Sequence, residues 1–181
     1  HLIDLGHTRI GLGIHNLLDS DHADREQGYV EALEAAGIPR DDTLTVRAPA
    51  HNRGGAMMLD RLLELEEPPT AIFFTNPMST VGALHRCLQL GIRVPQDLSI
   101  IGFDDADIRL QTFPAFSAVC QDAFRMGADA ARWLIKRLDE DAPHRPETSL
   151  HETTLSLHDS TGLKPRTRVR LDEKQQLIRV R

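Results

Sequence analysis

Aromatic residues make up only 4% of the 181-residue chain, two cysteines are present, and no apolar run approaches the roughly 18 residues that a membrane-spanning helix requires. The residues given therefore hold no bilayer-spanning helix. Cys87 and Cys120 lie far apart in apolar surroundings, a pattern of buried thiols in a reducing compartment and not of a disulfide framework, so a cytoplasmic setting is expected. There is no G-x-S-x-G elbow, no P-loop and no Cys or His cluster with metal spacing. "GLGIHN" has the first two glycines of a dinucleotide-binding loop, but Asn16 stands where the third belongs and the glycines fall inside a strand pattern. Neither catalysis nor a cofactor is expected. An initiating methionine and a charged signal region are also missing from "HLIDLGHTRI", which reads as the last turns of a helix closed by Gly6 and so as part of something longer.

What is present is alternation. "RIGLGIH" (9–15), "LTVRA" (44–48), "AIFFT" (71–75) and "LSIIGF" (98–103) are short β-type runs, too apolar to have one wet face, as strands covered on both sides require. Between them lie amphipathic helical patterns. "ADREQGYVEALEAAG" ends on Gly37, "RGGAMMLDRLLELEEPP" stops at paired prolines, and "NPMSTVGALHRCLQLG" starts on an Asn cap with Pro in its first turn and ends on Gly91. Strict alternation predicts an α/β fold with a doubly wound parallel sheet. Beyond the fourth strand, "FPAFSAVCQD" leads into a long helix over 122–141 whose Phe124, Met126, Gly127, Ala131, Leu134, Ile135 and Leu138 form one apolar stripe. "TSLHETTLSLH" alternates like a strand lying against a core on one side. The tail "TRVRLDEKQQLIRVR" is compatible with a β-ribbon around "DEKQQ" or with disorder.

Charge is uneven. From Thr161 on, seven basic residues face Asp172 and Glu173, a net +5, which leaves −11 on residues 1–160 out of the total of −6. An acidic body repels phosphate backbones, so residues 1–160 are not expected to grip DNA by themselves. The nine histidines are scattered; His144, His151 and His158 recur every seven residues, but Pro146 breaks any helix that would align them, and they read as surface residues.

The doubled carboxylate of "LSIIGFDD" sits where a buried strand ends. In open α/β sheets that end faces the ligand crevice, and Asn76 after "AIFFT" and Arg25 after "NLLDSDHAD" fall at comparable places. Arg, Asn and Asp together suit a small polyhydroxylated or amide-bearing ligand, since carboxylate accepts, guanidinium donates in a fork and amide does both. Each has a structural reading as well. Asp104 or Asp105 can cap the next turn, Asn76 before Pro77 is a helix cap in its own right, and Arg25 can pair with Asp21 or Glu26.

"HLIDLGHTRIGLGI", "REQGYVEALEAAGI", "PPTAIFFTNPMSTVGALHRCLQLGIRVPQDLSIIGFDD" and "FPAFSAVCQDAFRMGADAARWLI" resemble successive blocks of the effector-binding core of the lactose/galactose repressor family of bacterial transcription regulators, with "LGIRVPQDLSIIGFDD" the most specific part. The resemblance implies a periplasmic-binding-protein-like (type I) lobe and this division: residues 1–120 the second lobe of the core, 121–148 a crossover helix belonging to the first lobe, 149–160 a returning strand, and 161–181 a basic tail. A DNA-binding headpiece and most of the first lobe would lie outside the chain. It implies as partners a sugar-like small-molecule effector held between lobes, an operator DNA bound through that headpiece, and a second copy in a homodimer built with the helix near Met78 and the strand near Ser117. Family contacts carry over to Arg25, Asn76, Asp104 and Gln121, with Phe103 an aromatic neighbour and Asp21 a further position. Pro77 departs from the Asp that commonly follows the Asn, and Ala50 and His51 stand where some members place a ring that stacks on the sugar. Two other readings stand beside this one: a periplasmic sugar-binding protein of an uptake system, and a flavodoxin-like enzyme.

Overall fold

A computed structural model of the chain describes residues 1–15, 20–104, 108, 112–139 and 148–180, with Ser20, Asp21 and Asp139 described by their backbone. Asp105 and His144 lie outside the described residues. Six strands form one sheet: β1 (Ile10–His15), β2 (Thr45–Ala48), β3 (Ala71–Phe74), β4 (Ser99–Phe103), β5 (Ser117–Cys120) and β6 (Thr154–Ser156). Their order is β2-β1-β3-β4-β5-β6; the first five run parallel and β6 pairs antiparallel to β5. The helices are α1 (Ser20–Ala35), α2 (Asn52–Leu63), α3 (Pro77–Leu90) and α4 (Ala123–Asp139). The expected α/β fold with its mostly parallel sheet is the fold observed.

Each face of the sheet carries its own core. Met58, Leu59, Leu62 and Leu63 of α2 and Ala83, Leu84 and Cys87 of α3 pack on Ile72, Phe74 and Ile100. On the other face Leu33 of α1 meets Ile10, Ala71 and Ile101, together with Leu2. The helix pair α2–α3 touches backbone to backbone. A Cβ on Gly82 would come 1.9 Å from the carbonyl oxygen of Asn52, and one on Gly55 would come 2.0 Å from that of Ser79. Only glycine permits this crossing, and it fixes the start of α3 beside the end of β3.

The N-terminal turn closes as a helix end does: Leu5 N–H bonds His1 O, Gly6 N–H bonds Ile3 O with Gly6 at φ 89°, and His7 N–H bonds Leu2 O. The tail is the β-ribbon. Strands β7 (Arg168–Leu171) and β8 (Leu177–Val180) pair antiparallel, and the Asp172 carboxylate accepts from the N–H groups of Lys174 and Gln176 to shape the turn. Val169 and Leu171 enter the α2–α3 core at 1% and 3% exposure.

One expectation needs correcting. The strand expected over "TSLHETTLSLH" is three residues long, at the edge of the sheet, with Leu150, Leu155 and Leu157 exposed. Ser117, at the start of β5, is enclosed, its N–H bonding Ser160 Oγ and its hydroxyl bonding His158 O.

Candidate functional site

The carboxyl ends of β1, β3, β4 and β5 open onto one mouth. At β3 the chain passes Thr75 and enters α3 through Asn76, whose extended backbone (φ −151°, ψ 156°) makes it the N-cap. Asn76 Oδ1 accepts from Ser79 N–H at 2.9 Å and Nδ2 donates to Ser79 Oγ at 3.0 Å, so the amide is largely committed to the cap that Pro77 follows. Its structural role is therefore real, and only its second N–H and second lone pair are left for other work.

Glu26 takes Arg47 at 2.5 Å, while the Arg25 guanidinium reaches over the sheet end, donates from Nη1 to Thr75 O at 2.8 Å and lies over the Phe103 ring at 3.8 Å from its centroid. A guanidinium stacked on an aromatic face and tied by one arm is presented in a fixed plane. Asp104 follows Phe103 in the left-handed region at φ 63°, a conformation that Asp tolerates better than most residues. Its N–H bonds Val119 O at 2.7 Å, which turns the chain out of the sheet, and its Oδ2 accepts from Gln121 Nε2 at 3.4 Å across the end of β5. Arg25, Phe103, Asp104 and Gln121 thus form a connected set, with Asn76 next to the carbonyl that holds Arg25. Asp21 lies one turn before Arg25 on α1 and is described by its backbone only. Ala50 is exposed, and His51 serves as the N-cap of α2, its Nδ1 accepting from Gly54 N–H at 2.9 Å.

Two histidines also stand at this mouth. His15 closes β1 and His22 sits in the first turn of α1; their rings are 5.2 Å apart, and His22 Nδ1 is 3.5 Å from the buried Thr75 hydroxyl. Reading the histidines as scattered hid them. The available signal was position: His15 is a polar ring ending an otherwise apolar strand. A third, His7, is wholly buried between Thr70 Oγ1 at 2.8 Å and Gly162 O at 3.0 Å, and burial holds its imidazole below the ordinary pKa. Among the described residues no group of three or more His, Cys, Asp or Glu is placed to hold a metal ion, and no helix is long and apolar enough to cross a membrane.

Comparison with known proteins places the chain. The family model described as periplasmic binding protein-like domain matches residues 1–161. The ribose operon repressor of Haemophilus influenzae is 36% identical over 137 residues, which cover 76% of this chain and 41% of that protein. Catabolite control protein A of Priestia megaterium is 34% identical over 155 residues, 81% of this chain and 47% of that protein. Among solved structures, a LacI family transcriptional regulator from Mycobacterium smegmatis superposes with a TM-score of 0.80 at 30% identity, covering 91% of this chain and 61% of the other. Transcription regulator CcpA of Lactococcus lactis gives a TM-score of 0.77 at 31% identity, with 88% and 58% covered. The chain spans less than half the length of these two curated relatives.

Proposed function

The chain belongs to the periplasmic binding protein-like domain family, in its lactose/galactose repressor branch, and on that premise we propose that it is the second lobe of the effector-sensing core of a DNA-binding repressor. The ligand is a small polar metabolite, a sugar or sugar derivative, gripped at the mouth between this lobe and a first lobe. Arg25, Asn76, Asp104 and Gln121 supply its polar contacts, Phe103 the apolar wall, and Asp21 a further contact. One observation carries the reading: the Arg25 guanidinium is held between the Thr75 carbonyl and the Phe103 ring while the Asp104 carboxylate is joined to Gln121 beside it, a donor fork and an acceptor presented side by side at the strand ends.

Hydrogen bonds to charged groups contribute about 1.5–3 kcal/mol each. Three or four of them, less the cost of ordering the partners, give micromolar to millimolar affinity, the range of a metabolite sensor. Closure of two lobes on the ligand reorients whatever is joined to them, which couples the mouth to a distant operator-binding headpiece. The apolar stripe of α4 supports the crossover assignment: Phe124, Leu134, Ile135 and Leu138 are exposed on this lobe, as expected of a helix whose partner surface is the first lobe. A homodimer built with the start of α3 near Met78 and the strand near Ser117, and a cytoplasmic location, belong to the same proposal. The relatives named above are repressors and regulators, which favours this reading over an exported binding protein or an enzyme.

Calorimetric titration of the intact protein tests it. Asp104→Ala is expected to weaken effector binding at least about tenfold, the loss of one charged hydrogen bond. Asp104→Asn is the cleaner partner variant because Asn also tolerates the left-handed backbone. Unchanged affinity in both would remove Asp104 from the site.

A further inference from the structure

The two faces of the sheet are unequally covered. On one side Ile72, Phe74, Ile100 and Ala118 are fully buried in the α2–α3 core. On the other side Leu33 of α1 meets Ile10, Ala71 and Ile101, and a helix about 10 Å wide spans roughly two strands spaced at about 4.8 Å. Beside α1 lies a groove of about 500 Å³, floored by Phe73, Ile101, Phe103 and Val119, with α1 as one wall and Thr153, Thr154 and Leu155 as the other. Phe73, Phe103 and Val119 are only half-buried there. Parallel strands are normally covered on both faces, so the groove is a place where a covering element belongs.

One end of the groove is already lined by the start of the chain. His1, Leu2 and Ile3 stand there beside Ile10 at the base of β1, and their hydrogen bonds are those of a helix's last turn. Leu5 N–H reaches back four residues to His1 O, while His7 N–H on Leu2 O and Gly6 N–H on Ile3 O are the paired bonds of a helix closed by a left-handed glycine. In that closure Leu2 and Ile3 occupy helical positions ahead of the cap, so the helix runs back past His1. At its other end the groove reaches Arg25 and Phe103 at the mouth. The α1 wall is smooth: Gly28 and Ala32, one turn apart, are exposed, and a Cβ on Gly28 would meet nothing within 4 Å among the described residues. Small side chains at such a contact let a second helix come close.

We propose that the groove seats the segment immediately preceding His1 in the intact protein, an amphipathic helix whose last turn is residues 1–5, and that it takes no part of any ligand. The matched regions cover less than half of the two curated relatives, which leaves ample chain for such a helix. The five residues of β4 measure about 17 Å from base to mouth, which a helix rising about 1.5 Å per residue crosses in about eleven residues. Leu2 is buried against the sheet, so the side chains four and seven places before it face the same way, and they are apolar or small. The inference stands apart from the effector reading. It assigns the apolar groove to the protein's own core and leaves the polar mouth as the place for a metabolite.

The test is thiol labelling in the intact protein. Gly28→Cys and Ala32→Cys place a thiol in the groove, and Glu34→Cys places one at an exposed position of the same helix outside it. Iodoacetamide rates, read by mass spectrometry and normalised to the urea-unfolded protein, are expected to be at least about tenfold lower at the two groove positions than at Glu34→Cys, since only local opening exposes a covered thiol. Ala32→Cys serves alone if Gly28→Cys fails to fold. A smaller difference would overturn the proposal. So would protection that appears only when the protein is concentrated, the mark of a second copy, or only when neutral hexoses or pentoses are added, the mark of a ligand. Gly28→Leu is the converse variant: it is expected to lower the urea midpoint of the intact protein, although leucine is the better helix former, because the added side chain meets the seated helix. An unchanged or raised midpoint would show the groove open, and charged side chains at both places four and seven before Leu2 would rule out the seated face.

Discussion

Asp97 stands just ahead of β4 with a side chain only 3% exposed, and it gathers the charges of two distant segments. The Arg93 guanidinium donates to it at 2.6 and 2.9 Å and the Arg93 N–H at 3.0 Å, while Arg179 of the C-terminal ribbon reaches it at 3.1 Å. These bonds, Arg93 foremost, outweigh the burial of the carboxylate and hold its pKa at about 2, below the ordinary 3.8. A depressed carboxylate stabilises the fold above the unfolded-state pKa and loses that contribution as pH falls through the folded value. A shift of that size is worth about 2.4 kcal/mol at pH 7, and linkage leaves roughly half of it, about 1.3 kcal/mol, at pH 3. Asp97→Asn keeps the shape and one acceptor but removes the charge. Urea unfolding of both proteins, followed by circular dichroism, is expected to show a deficit near 2 kcal/mol at neutral pH that narrows between pH 4 and pH 2. A deficit below about 0.5 kcal/mol at pH 7, or one that is the same at pH 7 and pH 3, would refute the clamp.

Gly82→Ala should destabilise the protein by at least about 2 kcal/mol, because its Cβ would meet the Asn52 carbonyl at 1.9 Å and force α2 and α3 apart; an unchanged urea midpoint would contradict the crossing. In the native protein iodoacetamide should modify Cys120 well before Cys87, since Cys87 is 1% exposed and burial pushes its thiol up to about 12, and mass spectrometry of the labelled peptides reads the order. Asp97→Asn and Asp104→Asn should act separately, the first on stability and the second on effector affinity, with the double variant additive within about 0.5 kcal/mol, because β4 holds the two residues roughly 20 Å apart. Non-additivity by calorimetry and urea unfolding would mean that the strand transmits strain between them.

β1, β3 and β4 were legible because each is a continuous apolar run, and a strand buried on both faces can be little else; β2, expected to be covered on both sides as well, is an edge strand with Arg47 exposed and only Ala48 buried. Helix ends were legible for local reasons: Asn76 caps α3, and Gly91 closes it in the left-handed conformation. The tail was not. "RVRL" and "LIRV" alternate too briefly to decide between ribbon and disorder, and what decides is long-range: Val169 and Leu171 fill space against α2, and Arg179 finds Asp97 some eighty residues earlier. The strand near 154 failed for the converse reason. Its alternation was genuine, but alternation cannot tell that one face lacks a partner. Of the site, only positions could be inferred from residue type and strand ends. That Arg25 would reach Thr75 and Phe103, or that Asp104 would take a positive φ, depends on neighbours that no local pattern contains.

The most specific stretch of the sequence, "LGIRVPQDLSIIGFDD", divides into two kinds of work along one strand. Gly91 ends α3, and Arg93 and Asp97 lock the turn that follows. Leu98 and Ile100 are wholly buried. The charges that fix the base of β4 are thus paired on a buried carboxylate, at the opposite end of the strand from the mouth. At the other end the same strand delivers Phe103 and Asp104 to the mouth, where Phe103 carries Arg25 and Asp104 meets Gln121. The positive φ of Asp104 is held locally, by its N–H on Val119 O and its carboxylate on Gln121. The clamp at Asp97 therefore works on stability and Asp104 on the mouth, which is why the two substitutions are expected to act separately.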